Sequence, residues 1–459
     1  METRMFSRNL RLAIPAISLL TFSAFTLKSG NFANKFNYSV SPAGDVNGDG
    51  YSDLLLSVFE TDYGISKDGR VSLYLGTGNG IGQEPVWTGT CTQPAASYGE
   101  VVANAGDVNG DGFADIIVGA SHFSNGQDNE GAAFVYYGSP RGLSKTPSWT
   151  AESNQANAFF GTAVASAGDV NKDGFADVVI GSPMYDDGET NEGAVFVYLG
   201  SPNGLSKEAN WYAEGDQVNA YFGKAVTGAG DVNHDGYSDL LVGAPNYDNG
   251  QTNEGRAFLF LGSIMGITRA AAWTGESNQA DANYGASLAC AGDVNGDGFS
   301  DVVIGANRWD EQMSNMGKIY VYLGSSNGFN LYPDWTYTGS MVDGNLGISV
   351  ANAGDCNGDG YTEVIVGNFP TNQELNKGSA FVFYGSNRGM TTQMATISLP
   401  KNPQASIGLS VASAGDSNGD GYADVIAGVI WDQAGTSSNG KAMIVNGSAK
   451  GLMVGGGGN

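Results

Sequence analysis

A nine-residue acidic pattern, Asp-x-Asn-x-Asp-Gly-x-x-Asp, recurs along this chain of 459 residues. Its seven copies are almost evenly spaced and begin at Asp45, Asp107, Asp169, Asp231, Asp293, Asp355 and Asp416. Calcium takes six to eight oxygen ligands, and side chains at alternate positions of a tight loop can supply them. Two carboxylates about 4 Å apart repel by roughly 4 kcal/mol at an effective dielectric of 20. The pattern therefore predicts a calcium ion in each copy, up to seven in all.

The predicted ligands occupy positions 1, 3, 5 and 9 of each copy, and position 9 is a glutamate in the sixth. They are Asp45, Asn47, Asp49, Asp53; Asp107, Asn109, Asp111, Asp115; Asp169, Asn171, Asp173, Asp177; Asp231, Asn233, Asp235, Asp239; Asp293, Asn295, Asp297, Asp301; Asp355, Asn357, Asp359, Glu363; and Asp416, Asn418, Asp420, Asp424. The alternative is a metal-free turn, which aspartate and asparagine also favour. An EF-hand does not fit, because its position 12 is a glutamate and Leu56 stands there in the first copy.

The residues around each acidic loop indicate four short strands per repeat. Residues 221–273 give an apolar segment, the acidic loop, the buried strand "LLVGAP", a polar turn, the strand "RAFLFLGS" and a strand led by Trp273. Runs of β-forming residues bounded by turn signals predict antiparallel strands. A fixed period indicates a solenoid or propeller, and propellers have 4–8 blades of four strands. We therefore predict an all-β, seven-bladed propeller; an open solenoid would need atypical end repeats.

The chain ends favour a closed ring over a solenoid. A tryptophan stands at one constant distance before a repeat glycine in five blades; the pairs are Trp87 and Gly99, Trp149 and Gly161, Trp211 and Gly223, Trp273 and Gly285, and Trp335 and Gly347. Phe25 stands at the same distance before Asn37, which takes the place of the glycine in the first copy. The last repeat lacks this segment, so N-terminal and C-terminal strands are expected to share one blade.

The N-terminus predicts a targeting segment. Arg4, Arg8 and Arg11 precede a short apolar stretch, so we predict a signal peptide over 1–23. The alternative is an uncleaved anchor. The propeller then spans 24–448, and a glycine-rich tail spans 449–459.

Two long stretches carry a family resemblance. "YFGKAVTGAGDVNHDGYSDLLVGAP", Tyr221 to Pro245, and "FFGTAVASAGDVNKDGFADVVIGSP", Phe159 to Pro183, resemble the FG-GAP repeat of integrin α-subunit propellers and their bacterial relatives. The resemblance implies calcium in the loop between the first and second strands of each blade, and an extracellular binding or adhesion role. The chain departs from the family by having an acidic loop in all seven repeats and by Glu363 in the sixth.

Composition narrows the class of partner. The formal net charge is −26, which disfavours nucleic acid and anionic membranes. The three cysteines, Cys91, Cys290 and Cys356, are scattered and suggest neither a disulfide framework nor a metal site. Beyond the N-terminal segment no stretch is apolar enough to span a bilayer. A secreted or cell-surface monomer is expected.

Catalytic residues are scarce. The two histidines, His122 and His234, have no nucleophilic partner recognisable from sequence. The stretch "GSSNG" at Gly324 is a turn that recurs in other repeats, where its central serine is replaced by other residues. We therefore expect no enzyme activity from this chain.

Aromatic residues followed by acids mark the turn after the second strand. The candidate ligand-binding residues are Tyr185, Asp186, Tyr247, Asp248, Trp309 and Asp310. Around a common mouth they could hold a lysine or arginine of a protein partner by cation–π and ionic contacts. They could instead stack on a glycan, as in a lectin, or only pack their own loops. A non-catalytic part of a secreted hydrolase is a further alternative.

Overall fold

The second strand of each repeat is an unbroken apolar run, which is typical of a strand covered on both faces. In the computed structural model these strands are buried along their whole length in blades two to six. The structure describes residues 36–37, 39–60, 69–371, 377–399, 405–431 and 441–452, and the 28 strands in those ranges form seven antiparallel sheets. The predicted seven-bladed, all-β propeller is confirmed.

The strands follow the repeat closely. Blade one has β1 (Phe36–Asn37), β2 (Val40–Gly44), β3 (Asp53–Glu60), β4 (Arg70–Tyr74) and β5 (Trp87–Thr90); blade two has β6 (Tyr98–Gly106), β7 (Asp115–Ala120), β8 (Ala132–Tyr136) and β9 (Trp149–Glu152); blade three has β10 (Ala163–Gly168), β11 (Asp177–Ser182), β12 (Ala194–Tyr198) and β13 (Trp211–Glu214); blade four has β14 (Ala225–Gly230), β15 (Asp239–Ala244), β16 (Arg256–Phe260) and β17 (Trp273–Glu276). Blade five has β18 (Tyr284–Gly292), β19 (Asp301–Ala306), β20 (Lys318–Tyr322) and β21 (Trp335–Thr338); blade six has β22 (Leu346–Gly354), β23 (Glu363–Asn368), β24 (Ser379–Phe383) and β25 (Met394–Ile397); and blade seven has β26 (Ala405–Gly415), β27 (Asp424–Trp431) and β28 (Lys441–Val445).

In blades two to seven the strands pair in chain order, whereas in blade one both β1 and β2 pair with β3. The first strands, β2 in blade one, pack on one another around the ring. The first strand is therefore innermost and the fourth outermost. Each outermost strand of blades one to five begins at its tryptophan, as predicted. The Trp87 and Trp149 indole N–H groups each donate to a backbone carbonyl of the next blade, those of Ser144 and Ser206, at 2.9 and 2.8 Å.

Blade seven packs directly on blade one. β2 lies against β26, and the Val40 N–H donates to Ser410 Oγ at 3.1 Å. Leu54 and Leu56 of blade one share a core cluster with Ala414 and Ile426 of blade seven. Adjacent first strands are thus in contact all the way round. The strand predicted around Phe25, and the signal peptide over 1–23, lie outside the described residues and stay predictions.

Strand alternation sorts the connections onto two faces. The acidic loops and the turns between the third and fourth strands lie on one face, which we call the acidic face. The turns between the second and third strands lie with the blade-to-blade connections on the opposite face, which we call the turn face.

Gly76 offers a test of how tightly the acidic face holds the ring together. A Cβ at Gly76 would lie 2.4 Å from the Ser52 carbonyl oxygen and 3.2 Å from that of Ser417 in blade seven. Gly76→Ala should therefore lower the free energy of unfolding by about 1–3 kcal/mol through overpacking. Gly82→Ala is the control, because its Cβ would meet nothing closer than 3.5 Å. Equal stability of the two variants in denaturant titrations would contradict the close packing of this turn against the acidic loops.

Candidate metal centre and ligand face

The first aspartate of each acidic loop organises the loop backbone. Asp45 Oδ1 accepts from the N–H groups of Gly48 and Asp49 at 2.7 and 3.0 Å, and Asp45 Oδ2 accepts from Gly50 N–H at 2.8 Å. Gly50 has φ +89°, a left-handed conformation that glycine adopts without steric cost. The same Oδ2 bond to position 6 recurs in all seven loops. The loop is thereby held in a tight turn that gathers side-chain oxygens.

Positions 3 and 5 meet at the loop tip. Asn47 Nδ2 donates to Asp49 Oδ2 at 2.9 Å, and the equivalent bond is present in blades three to six. In blade six Asn357 Nδ2 lies 3.0 Å from Asp359 Oδ2 and 3.4 Å from Glu363 Oε1. In blade six the oxygens of positions 5 and 9 thus both approach the position-3 amide nitrogen.

The position-9 carboxylate is buried beneath the loop. In all seven blades this residue has no exposed surface. Asp53 Oδ2 accepts from Val46 N–H at 3.0 Å, and Asp53 Oδ1 accepts from Gly76 N–H at 2.9 Å. The carboxylate thus joins its own loop to the turn between the third and fourth strands.

Burial makes these carboxylates hard to ionise. Desolvation raises the pKa of Asp53, Asp115, Asp177, Asp239 and Asp301 to about 7 each, and that of Asp424 to about 6. Bonds from two backbone N–H groups oppose the shift, and in the first five blades the aspartates at positions 5 and 1 add to it. A cation among these oxygens would favour the ionised form.

The residues therefore fit a hard cation, with one restriction. Across the described ranges, no three His, Cys, Asp or Glu side chains are grouped closely enough to hold a metal ion by themselves. An ion in these loops would also need the position-3 amide oxygen or backbone carbonyls, which are ordinary calcium ligands. The calcium prediction thus rests on mixed carboxylate, amide and carbonyl donors.

Each acidic loop is bonded to the next blade. The Ala114 N–H donates to the Asp45 carbonyl, and the Ser139 N–H donates to the Val46 carbonyl, both at 3.0 Å. The pattern repeats round the ring and ends with bonds from Ser52 and Thr77 of blade one to blade seven, at 3.4 and 3.3 Å. Loop shape and blade packing are therefore coupled.

Two loops depart from the others at position 4, where glycine is usual. Lys172 and His234 stand there with φ +60° and +57°. The Lys172 ammonium lies 5.6 Å from the centre of the Tyr237 ring of the next loop, and the His234 ring lies 5.7 Å from that of Phe299. Lys172 thus places a fixed positive charge beside the acidic loop of blade four.

On the turn face, the predicted aromatics pack against the third strand of their own blades. Ring centres are 5.6 Å apart for Tyr185 and Phe196, 5.7 Å for Tyr247 and Phe258, and 6.3 Å for Trp309 and Tyr320. The third strand lies toward the rim, so these rings pack outward within their own blades, and ligand binding by them stays a prediction. The chain also supplies its own cations, since Arg256 lies 4.9 Å from the Tyr247 ring centre and Lys318 4.4 Å from that of Trp309.

The neighbouring aspartates are exposed and stabilise their own turns. Asp186 Oδ1 accepts from Asn191 N–H at 2.6 Å, and Asp248 and Asp310 make the equivalent bond in their own blades. A glutamine of the preceding blade holds the backbone of each aspartate; the Gln155 amide, for example, bonds to both the N–H and the C=O of Asp186. Sequence reasoning missed these glutamines, although a glutamine at one fixed place in successive repeats was a visible signal. They are Gln155, Gln217 and Gln279.

Sequence reasoning also missed a polar cluster around His122. Ser97 Oγ and Ser121 Oγ lie 3.1 and 2.9 Å from His122 Nδ1, and Ser121 also donates to Glu100. No local signal links these residues, because Ser97 and His122 come from different turns. Absence of enzyme activity stays a prediction.

Known protein families match this architecture. Residues 160–198 and 222–260 match the FG-GAP repeat, and residues 45–118, 293–366 and 355–427 match the FG-GAP-like repeat, together more than half of the chain. The chain is an integrin-α-like FG-GAP propeller.

Relatives of this FG-GAP propeller are larger proteins. It is 29% identical to integrin alpha-5 of Xenopus laevis over 51% of the chain and 22% of that protein, and 32% identical to integrin alpha-3 of Cricetulus griseus over 48% and 20%. It is 27% identical to phosphatidylinositol-glycan-specific phospholipase D of Mus musculus over 78% of the chain and 47% of that protein. The chain thus spans less than half the length of each. Its homology to integrin α chains indicates a binding module.

The contribution of the position-9 carboxylate to stability can be measured without a bound metal. In the presence of a chelator, Asp239→Ala should lower the free energy of unfolding by about 2 kcal/mol, because Val232 N–H and Gly262 N–H lose their buried acceptor. Asp235→Ala, at exposed position 5, should cost roughly 1 kcal/mol or less. Denaturant titration measures both, and equal losses would show that the buried bonds do not matter.

Proposed function

We propose that this FG-GAP propeller is a secreted or cell-surface binding module for an extracellular protein, made rigid by calcium in its acidic loops. The observation that carries the proposal is the coupling of loops to blades. Each loop carries three carboxylates within nine residues, and its carbonyls at positions 1 and 2 accept hydrogen bonds from the next blade. An ion that fixes the loop would therefore also fix the packing of its neighbour.

Two further features support the extracellular assignment. The integrin α relatives are cell-surface receptors by family, and 1–23 reads as a signal peptide. The described residues include no helix long and apolar enough to cross a bilayer. The net charge of −26 is concentrated in the loops, where seven dications would offset much of it. Calcium at extracellular concentration suits modest-affinity sites of this kind.

The turn face is the proposed recognition surface. Its turns vary between blades, while the strands beneath them repeat, and rigid strands carrying variable loops are a common division of labour in binding proteins. Asp186, Asp248 and Asp310 expose acidic groups at matching places in three consecutive blades. A partner surface carrying basic side chains would complement them.

Calcium should stabilise the folded protein. An ion that binds only the native state at a hundred times its dissociation constant adds about 2.7 kcal/mol per site, so calcium should raise the melting temperature and a chelator should lower it. Titration calorimetry should count up to seven ions, and Asp173→Asn should remove one. Fewer than four ions would contradict the seven-site proposal, and an unchanged melting temperature would contradict stabilisation by calcium.

The exposed aspartates should matter for capture and not for folding. Changing Asp186, Asp248 and Asp310 together to Asn keeps a side-chain oxygen for the backbone N–H that each one binds but removes three charges. Retention of calcium-loaded protein on an array of purified matrix proteins should fall, while the melting temperature stays nearly unchanged. Capture that survives the triple variant would move recognition elsewhere, and capture only on a glycan array would favour a lectin.

A further inference from the structure

An open cleft of about 710 Å³ separates the rims of blades three and four. One wall is the outermost strand of blade three with the residues next to it, lined continuously over 210–216. The other wall is formed by Tyr247, Phe258 and Phe260 of blade four and by the connection 269–271. Ligand pockets usually have volumes of about 300–1,000 Å³, so the cleft is large enough to bind a ligand.

The strand along this cleft has an unpaired edge. β13 pairs with β12 and ends the sheet of blade three. Gly215 N–H donates to Gly193 C=O at 3.1 Å, and the register places Ala213 opposite Val195. Because backbone groups alternate in direction along an antiparallel strand, the N–H and C=O groups of Tyr212 and Glu214 point away from β12. Such an edge is a template for another strand.

The cleft has an aromatic floor and charged ends. Trp211 packs on Phe260 at 5.1 Å between ring centres, and Phe222 packs on Phe258 at 5.3 Å. Glu214 and Asp216 lie toward the turn face, and Arg269 lies toward the acidic face. An extended peptide with an apolar side chain over the floor, a basic residue at one end and an acidic residue at the other would be complementary.

The opposite face of β13 from the aromatic floor carries Tyr212 and Glu214, because side chains alternate along a strand and Tyr212 packs on Phe196 of its own blade at 5.2 Å. Successive side chains of a peptide paired with β13 would therefore reach the floor and Glu214 in turn.

On this second face blade three lacks the amide found in neighbouring blades. Asn125 donates to Glu152 in blade two, and Asn249 donates to Glu276 in blade four. In blade three the matching pair is Asp187 and Glu214, and both carboxylates accept from the Tyr212 hydroxyl, at 2.9 and 2.7 Å. One phenol proton cannot serve both fully, so a basic group of a partner would find acceptors here.

Small residues open the second wall. The connection of blade four reads Arg269-Ala270-Ala271-Ala272 before Trp273, whereas the same place in blade three reads Lys207-Glu208-Ala209-Asn210 before Trp211. Ala270 and Glu208 hold the same position and both are exposed. The cleft therefore arises from a local departure from the repeat.

We propose that an extended peptide segment of the protein partner binds in this cleft as a fifth strand of blade three. The peptide pairs with the outward backbone groups of Tyr212 and Glu214, places an apolar side chain on the aromatic floor and directs a basic residue to Glu214 and Asp187. Main-chain bonds supply affinity and alternate side chains supply specificity in this mode of recognition. The inference rests on the proposed binding function and assigns it a site and a ligand class.

The test uses linear peptides selected from a display library against the calcium-loaded full chain, with affinity measured by fluorescence anisotropy. Tyr212→Pro removes an N–H that the fold does not use, since proline is tolerated where the strand edge faces solvent. Ala270→Trp fills the cleft from its other wall. Both variants should weaken binding by about tenfold or more, equivalent to about 1.4 kcal/mol. Tyr212→Phe isolates the contribution of the hydroxyl.

Matched controls lie at the same positions one blade earlier. Thr150→Pro in β9 and Glu208→Trp should leave peptide affinity unchanged, and unchanged melting temperatures of all variants exclude misfolding. The proposal is overturned if the selected peptides bind both cleft variants at full affinity, or if the selection returns no peptide. The ligand class is overturned if Ala270→Trp abolishes binding of a glycan. Protein capture that resists Ala270→Trp would refute the cleft and spare the binding function.

Discussion

The fold depends on a ring of backbone hydrogen bonds that joins each acidic loop to the following blade. The carbonyls at positions 1 and 2 of one loop accept from the next blade, and the last loop accepts from the first blade. These carbonyls are well placed only while the carboxylate at position 1 holds the turn. Because a closed ring has no free end, a loop that opens loses its own turn and the support of its neighbour together. The geometry of each loop thus affects the packing of the whole propeller.

The stability of this arrangement depends on the charge of the buried position-9 carboxylate. It binds two N–H groups that would otherwise be unsatisfied, yet burial raises the pKa of Asp177 or Asp239 to about 7. The ionised form is therefore unfavourable in the fold without a compensating charge. A cation at the loop would offset that cost and the repulsion from positions 1 and 5. This conflict agrees with the calcium proposal, because the same residues are needed for the turn and are costly when charged.

Much of the fold could be predicted because the same sequence features recur in successive repeats. The nearly constant repeat length, the apolar second strands and the tryptophans that begin β5, β9, β13, β17 and β21 each signal their place in the sequence. Contacts between side chains left weaker signals. The packing of Tyr247 on Phe258 and Arg256 depends on which way a ring turns at the end of a strand, and periodicity does not determine that direction. The cluster of Ser97, Ser121 and His122 joins different turns, so only the three-dimensional arrangement reveals it.

Function in a repeat protein is best sought where one copy departs from the rest. The residues that all copies share are accounted for by strand pairing, loop closure and the proposed ions. Blade three instead has Asp187 facing Glu214 where its neighbours have an amide facing a carboxylate, and blade four has alanines where blade three has longer side chains. Neither departure improves packing, since one places like charges together and the other leaves a cleft. Both border the same free strand edge, and that coincidence favours recognition at this junction over any of the more regular ones.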